Sequence, residues 1–140
     1  LQDSIDTGNG EAIFYNKKVR DHEEKGLGRI TVQEAFEHSS NVAMAKLIDK
    51  QFGKKPEKFV DYVDKLRLSQ PLGIQITGEP QPKIHRPGEK GWSGISLPWM
   101  AYGYGFEITP LHTLTLYNAV ANEGKMIKPV FVRNISKADE

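Results

Sequence analysis

The chain of 140 residues contains no cysteine. It therefore forms no disulfide, offers no thiolate to a metal and has no cysteine nucleophile. No apolar run approaches the roughly 18 residues that a membrane-spanning helix needs. Excess charge of one sign is also lacking: 19 basic residues against 18 acidic ones leave a net charge of +1. The local run Lys54, Lys55 and Lys58 is offset by Glu57 and Asp61. Such a balance argues against a nucleic-acid groove or an anionic membrane surface. Metal-ligand spacing is missing as well. His22, His38, His85 and His112 stand far apart, and Asp3 and Asp6 lack the distal Glu of a calcium loop. Neither a metal nor a cofactor is expected. The start, LQDSIDTGNG, shows no initiator Met and no signal-peptide pattern, and RNISKADE stops just after a strand-like run. Both ends are expected to continue into a longer polypeptide.

What is present reads as an ordinary globular sequence, with 38% hydrophobic and 26% charged residues. Residues 1–30 are rich in turns: TGNG and KGLG flank EAIFYNKKV, the one plausible strand there. Thr31 with Glu34 makes a capping box for a short helix over about 32–38 that carries Ala35 and Phe36 towards a core. A second helix is predicted from about Ser40 to Phe52, stopped by Gly53. Its apolar residues Val42, Ala43, Met44, Ala45, Leu47 and Ile48 cover most of its circumference, which marks a buried helix. Pro56 opens a third, to about residue 67, with a stripe of Phe59, Val60, Val63 and Leu66. Residues 68–98 hold Pro71, Pro80, Pro82, Pro87 and Pro98 and read as a long loop, with a short hairpin around GIQIT. A short helix from Pro98 follows, then one over about 110–123 capped by Thr109 and closed by Gly124. MIKPVFVRNIS is the last strand candidate.

The stretch FEHSSNVAMAK poses the functional question. Ser39, Ser40 and Asn41 stand in a row at the head of the most apolar helix. One serine is explained by capping the free N–H groups of the first turn. Three polar side chains exceed that need. A buried helix that holds a hydroxyl and a carboxamide at the wall of a cleft is the other reading. The motif alone is weak, since about 0.3 Ser-x-Asn triplets arise by chance in a chain with this many serines and asparagines.

Order along the chain adds specificity. DTGNG, then ITVQEAFEHSSNVAMAKL, LGIQITGE, WSGISLPWMAYGYG and ITPLHTLTLYNAVANEGKMIKPVFV together resemble the transpeptidase domain of class B penicillin-binding proteins, which cross-link peptidoglycan. SLPWMAYGYG is similar to the cell-division branch. The family's motif set is Ser-x-x-Lys with the nucleophile, a Ser-x-Asn element and Lys-Thr-Gly. Ser39-Ser40-Asn41 matches the second; the first and third do not occur here. The resemblance therefore implies that residues 1–140 are a partial transpeptidase domain. Its fold would be α+β, mostly the helical subdomain of the penicillin-binding and serine β-lactamase-like fold, with a few strands at the two ends.

The resemblance implies acyl transfer through a serine ester, in which the nucleophile attacks the D-Ala-D-Ala carbonyl of a stem peptide and the terminal D-Ala leaves. Ser39 would relay a proton to the departing nitrogen, a task that suits a group able to donate and accept. Asn41 would hydrogen-bond the substrate amide and the nucleophile's lysine. Ser40, Tyr102 and Tyr104 are the candidate substrate-binding residues. Implied partners are the stem peptide, β-lactam antibiotics and other division or cell-wall synthesis proteins. The implied location is the extracytoplasmic, periplasmic face of the inner membrane, with an N-terminal anchor outside this segment. The alternatives are a non-catalytic domain of the same ancestry that binds wall peptide or a division partner, and a serine β-lactamase. Trp92 and Trp99 are read as loop anchors and His38 as structural.

Overall fold

The computed structural model describes residues 3–23 and 25–134. They fall into two units, Leu1–Val60 with His85–Phe106, and Asp61–Ile84 with Glu107–Glu140.

In the first unit, β1 (Ser4–Asp6) pairs antiparallel with β4 (Arg29–Thr31), Ile5 opposite Ile30. The expected single strand EAIFYNKKV is instead a hairpin of β2 (Glu11–Phe14) and β3 (Lys17–Arg20). Its turn residues Tyr15 and Asn16 have φ of 48° and 63°, the left-handed pair of a two-residue hairpin. Tyrosine is an unusual choice there, which is why no turn signal stood out. The ring is held from outside the hairpin: its hydroxyl donates to Asp49 Oδ1 at 3.2 Å. A Cβ on Gly94 would lie 2.4 Å from a ring carbon. The two glycine turns meet each other. Gly26 sits so close that a Cβ would come within 2.2 Å of the Asn9 carbonyl carbon. Buried Thr7 ties them, donating from both N and Oγ1 to Gly28 O at 2.7 and 3.0 Å.

Helix α1 (Val32–Glu37) has the expected capping box, with Glu34 N donating to Thr31 Oγ1 at 3.1 Å and Thr31 N to Glu34 Oε2 at 2.7 Å. Ala35 is buried, but Phe36 is 68% exposed, against expectation. A helix of six residues has one inward stripe, and neighbours in sequence point about 100° apart. Helix α2 (Asn41–Phe52) is the buried one, with Val42, Ala43, Ala45 and Ile48 sealed from solvent. Val42 and Ala45 join Val19 of β3 and Ile95 in a cluster that also receives Phe14, Trp99 and Tyr102. Helix α4 (Ser96–Met100) begins two residues before Pro98, which is tolerated in a first turn because those N–H groups have no intrahelical partner. Phe59 stacks at a tilt on Phe52 and edge-on to Phe106, with centroids 5.7 and 6.5 Å apart.

Helix α3 (Pro56–Lys65) carries the expected stripe only in part: Val60 and Val63 are buried and Leu66 lies beyond its end, exposed. In the second unit GIQIT forms no hairpin. The Glu79 carboxylate gathers that loop by accepting from the N–H groups of Leu72, Gly73 and Ile74. Lys83 of β5 (Lys83–Ile84) meets Glu107 of β6 (Phe106–Glu107), Nζ to Oε2 at 3.0 Å. Helix α5 (Pro110–Ala121) is capped by Thr109 as expected. His112 is 1% exposed, with Nδ1 2.8 Å from Thr109 Oγ1 and Nε2 3.0 Å from Gln70 O. A carbonyl only accepts, so Nε2 carries the proton.

The last strand candidate forms no ladder over 126–134, while its final residues Ile135 and Ser136 lie outside the described residues. Phe131 and Val132 both donate their N–H to Gln75 Oε1 at 3.0 Å, and Gln75 Nε2 donates to Val132 O at 3.2 Å. A side-chain amide occupies the place of a partner strand.

Candidate active site

Three helices end in the same way, and one of these ends carries the candidate site residue Ser39. Ser39 after α1, Arg67 after α3 and Glu123 after α5 adopt φ of 52°, 57° and 55°. Each occupies the left-handed position that closes a helix, where glycine is the usual residue. For α5 this is one residue before the expected Gly124. After α1, Ser39 N donates to Phe36 O at 3.1 Å and Ser40 N to Ala35 O at 2.9 Å. Because Arg67 and Glu123 share the conformation, the strain at Ser39 is not by itself a mark of function. Ser39 is set apart by its successor: Ser40 completes the end of α1 and at the same time begins α2.

Ser40 is the N-cap of α2, not its first helical residue, and it is 1% exposed. Its Oγ accepts from Ala43 N at 3.0 Å, and its proton is shared between Oδ1 and Oδ2 of Asp21, each 3.0 Å away. Asp21 Oδ1 also accepts from Val42 N at 2.9 Å. The carboxylate thus faces the positive end of the helix, a favourable arrangement of about 0.3–1 kcal/mol. This geometry gives Ser40 a structural role. A buried hydroxyl that already donates and accepts does not fit the expected substrate contact.

Ser39 is exposed, and Asn41 is half-buried. Asn41 Nδ2 donates to the carbonyl of Arg20 at 2.9 Å. The residues at the end of β3 therefore grip the head of α2 from one side. Asp21, Asn9, Gly10, Glu11, Arg20 and Glu23 line a recess there. Glu11 is paired with Lys18 at 2.9 Å and Arg20 at 2.7 Å, and the Lys18 hydrogen bond in particular holds its carboxyl below the usual range.

Tyr102 packs against the cluster formed by Val19, Val42, Ala45 and Ile95, so the core joins it to the residue after Asn41. Burial, and then neighbouring Tyr104, push its hydroxyl pKa up, so it remains a protonated donor. Tyr104 is 63% exposed and stands edge-on to Tyr102 at 5.6 Å and tilted against Trp99 at 5.9 Å. Trp92 meets His85 edge-on with centroids 5.2 Å apart, consistent with its reading as an anchor. Sequence reasoning missed Asp21. A lone Asp after a strand carries no signal until the fold brings it to a helix start 19 residues later.

At the head of α2 a buried Ser40 thus stands between an exposed Ser39 and a half-buried Asn41, in a domain of helices and short strands. A family model described as the penicillin binding protein transpeptidase domain matches residues 3–140. The chain belongs to the penicillin-binding protein transpeptidase family. It is 30% identical to the penicillin-binding protein PbpB of Mycobacterium tuberculosis over 76% of this chain and 17% of that protein. It is 24% identical to the peptidoglycan D,D-transpeptidase FtsI of Escherichia coli over 84% of this chain and 20% of that protein. Among solved structures, the apo transpeptidase domain of Burkholderia pseudomallei penicillin-binding protein 3 superposes with a TM-score of 0.80 at 25% identity, covering 96% of this chain and 38% of that one. The resemblance to division-type class B penicillin-binding proteins and the mixed α and β fold are thereby borne out. The chain spans about a fifth of the length of these curated relatives.

Proposed function

We propose that this chain is the cleft-wall segment of a peptidoglycan D,D-transpeptidase, residues 1–140 forming a partial transpeptidase domain of a longer parent. The parent transfers the acyl group of a D-Ala-D-Ala stem peptide through a serine ester and is acylated by β-lactams. It works on the extracytoplasmic side of the inner membrane, beside other wall-synthesis proteins. No helix among the described residues is long and apolar enough to cross a membrane, so an anchor would belong to another part of the parent.

The observation that carries this reading is the division of labour at the head of α2. Ser40 caps the helix and leaves the neighbouring Ser39 hydroxyl exposed, beside an Asn41 whose position is held by Arg20. Ser39 relays the proton that the leaving nitrogen needs, and Asn41 orients the substrate amide. Tyr104 lines the approach, with Tyr102 behind it. Ser39→Ala in the full-length parent should slow turnover of a thioester substrate by about 10²–10⁴-fold, the range of proton-transfer catalysis. Turnover at the wild-type rate removes Ser39 from the chemistry. The 140-residue segment has no Ser-x-x-Lys and no Lys-Thr-Gly. Incubated alone with a labelled β-lactam, it should form no stoichiometric covalent adduct.

A further inference from the structure

Ser39, Ser40 and Asn41 are all good helix caps, so the head of α2 has a choice of register. Serine and asparagine rank together at the N-cap position, so residue type does not favour the middle one. A slip by one residue would turn the Ser39 hydroxyl or the Asn41 carboxamide inward to serve the free N–H groups. The groups assigned to the substrate would then be consumed by the helix.

The observed register is selected from outside the helix. Asp21 accepts from Ser40 Oγ at 3.0 Å and from Val42 N at 2.9 Å, the two residues that flank Asn41. Its neighbour Arg20 takes Asn41 Nδ2 at 2.9 Å. Three consecutive residues of the helix head are thus bonded to two consecutive residues of the hairpin exit. That exit is itself fixed. Asp21 N donates to Gly10 O at 2.8 Å, and Val19 is buried in the core cluster.

We propose that Asp21 is a positioning residue that makes Ser40 the cap of α2 and so keeps the Ser39 hydroxyl and the Asn41 side-chain carbonyl, the latter steadied through Nδ2 by Arg20 O, out of the helix and turned to the substrate. It touches no reacting atom; it acts through the register of the helix head. The inference rests on the roles given to Ser39 and Asn41 above. Removing the carboxylate orphans Val42 N–H and the Ser40 proton, and the head can recap through Ser39 or Asn41. Displacement of reacting groups by about 1 Å is enough for a loss near 10²-fold.

The test uses the full-length parent with a thioester substrate, and thermal melting confirms that each variant is folded. Asp21→Ala should lower kcat by about 10²-fold while KM moves little. Asp21→Asn, which keeps the volume and one acceptor for Val42 N–H, guards against misfolding and should show a smaller loss. Ser40→Ala, which removes the selected cap, should reproduce the Asp21→Ala defect. In the double variant Asp21→Ala with Ser39→Ala, the loss should fall short of the product of the two single losses, because both act on one group. Losses that multiply fully would mean independent action and overturn the proposal. Ser39→Ala slow with folded Asp21→Ala at the wild-type rate sinks this inference alone. Ser39→Ala at the wild-type rate sinks the site reading and the inference with it.

Discussion

Residue by residue, the proposed site rests on one backbone conformation and one shared carboxylate. Ser39 holds a left-handed φ of 52°, which disfavours an L-residue by roughly 1–2 kcal/mol. Ser39→Gly relieves that strain but enlarges the freedom of the unfolded chain, which offsets about 0.4–1 kcal/mol. The net expectation is unchanged or slightly higher stability, by less than about 1.5 kcal/mol, combined with lost turnover. Ser39→Ala should lose turnover without the gain in stability. Thermal melts of both variants check this, and a clear drop for Ser39→Gly would show that the hydroxyl, not the backbone, holds this corner together.

At the scale of elements, the loop between α3 and β5 is organised by one side chain. Burial pulls the Glu79 pKa upward, but the N–H groups of Leu72, Ile74 and Gly73 outweigh it, with a smaller contribution from His112, and hold it below its usual 4.5. A carboxylate whose folded pKa is depressed stabilises the fold above its unfolded pKa. That contribution fades as the pH falls below 4.5 and through the folded value. Amide exchange at Leu72, Gly73 and Ile74, corrected for intrinsic rates, should show protection at neutral pH that declines once the pH falls through the folded pKa of Glu79. Glu79→Gln should weaken it already at the higher pH. Equal protection in all three conditions would mean that the loop is held by other contacts.

For the whole molecule, the notable surface is apolar. Leu114, Tyr117 and Val120 repeat every three residues along the outward side of α5 and are all exposed, as are Ile127, Val130 and Phe131 after it. Exposed apolar residues gathered in this way mark surface that normally has a neighbour. The 140-residue chain by itself is expected to associate as its concentration rises. Leu114→Glu with Val120→Lys should shift it towards the monomer in sedimentation velocity runs. A monomer at every concentration, without those changes, would mean that the surface is self-sufficient.

Local chemistry was legible in the sequence wherever it acts within a few residues. The Thr31 box, the Thr109 cap, Pro56 and Pro110 at helix starts and the mostly apolar helix from residue 41 need only their neighbours in the chain. The ordered motifs added the family, because their sequence order is itself specific. The hairpin with Tyr15 and Asn16 escaped because its strained turn is supported by Asp49 and Gly94, far away in sequence. The terminal strand failed because a strand is defined by its partner, and here Gln75 supplies the hydrogen bonds. Which of three adjacent polar residues caps α2 was equally beyond the sequence. Each can serve, and only the fold, by carrying Asp21 to the helix head, makes them unequal.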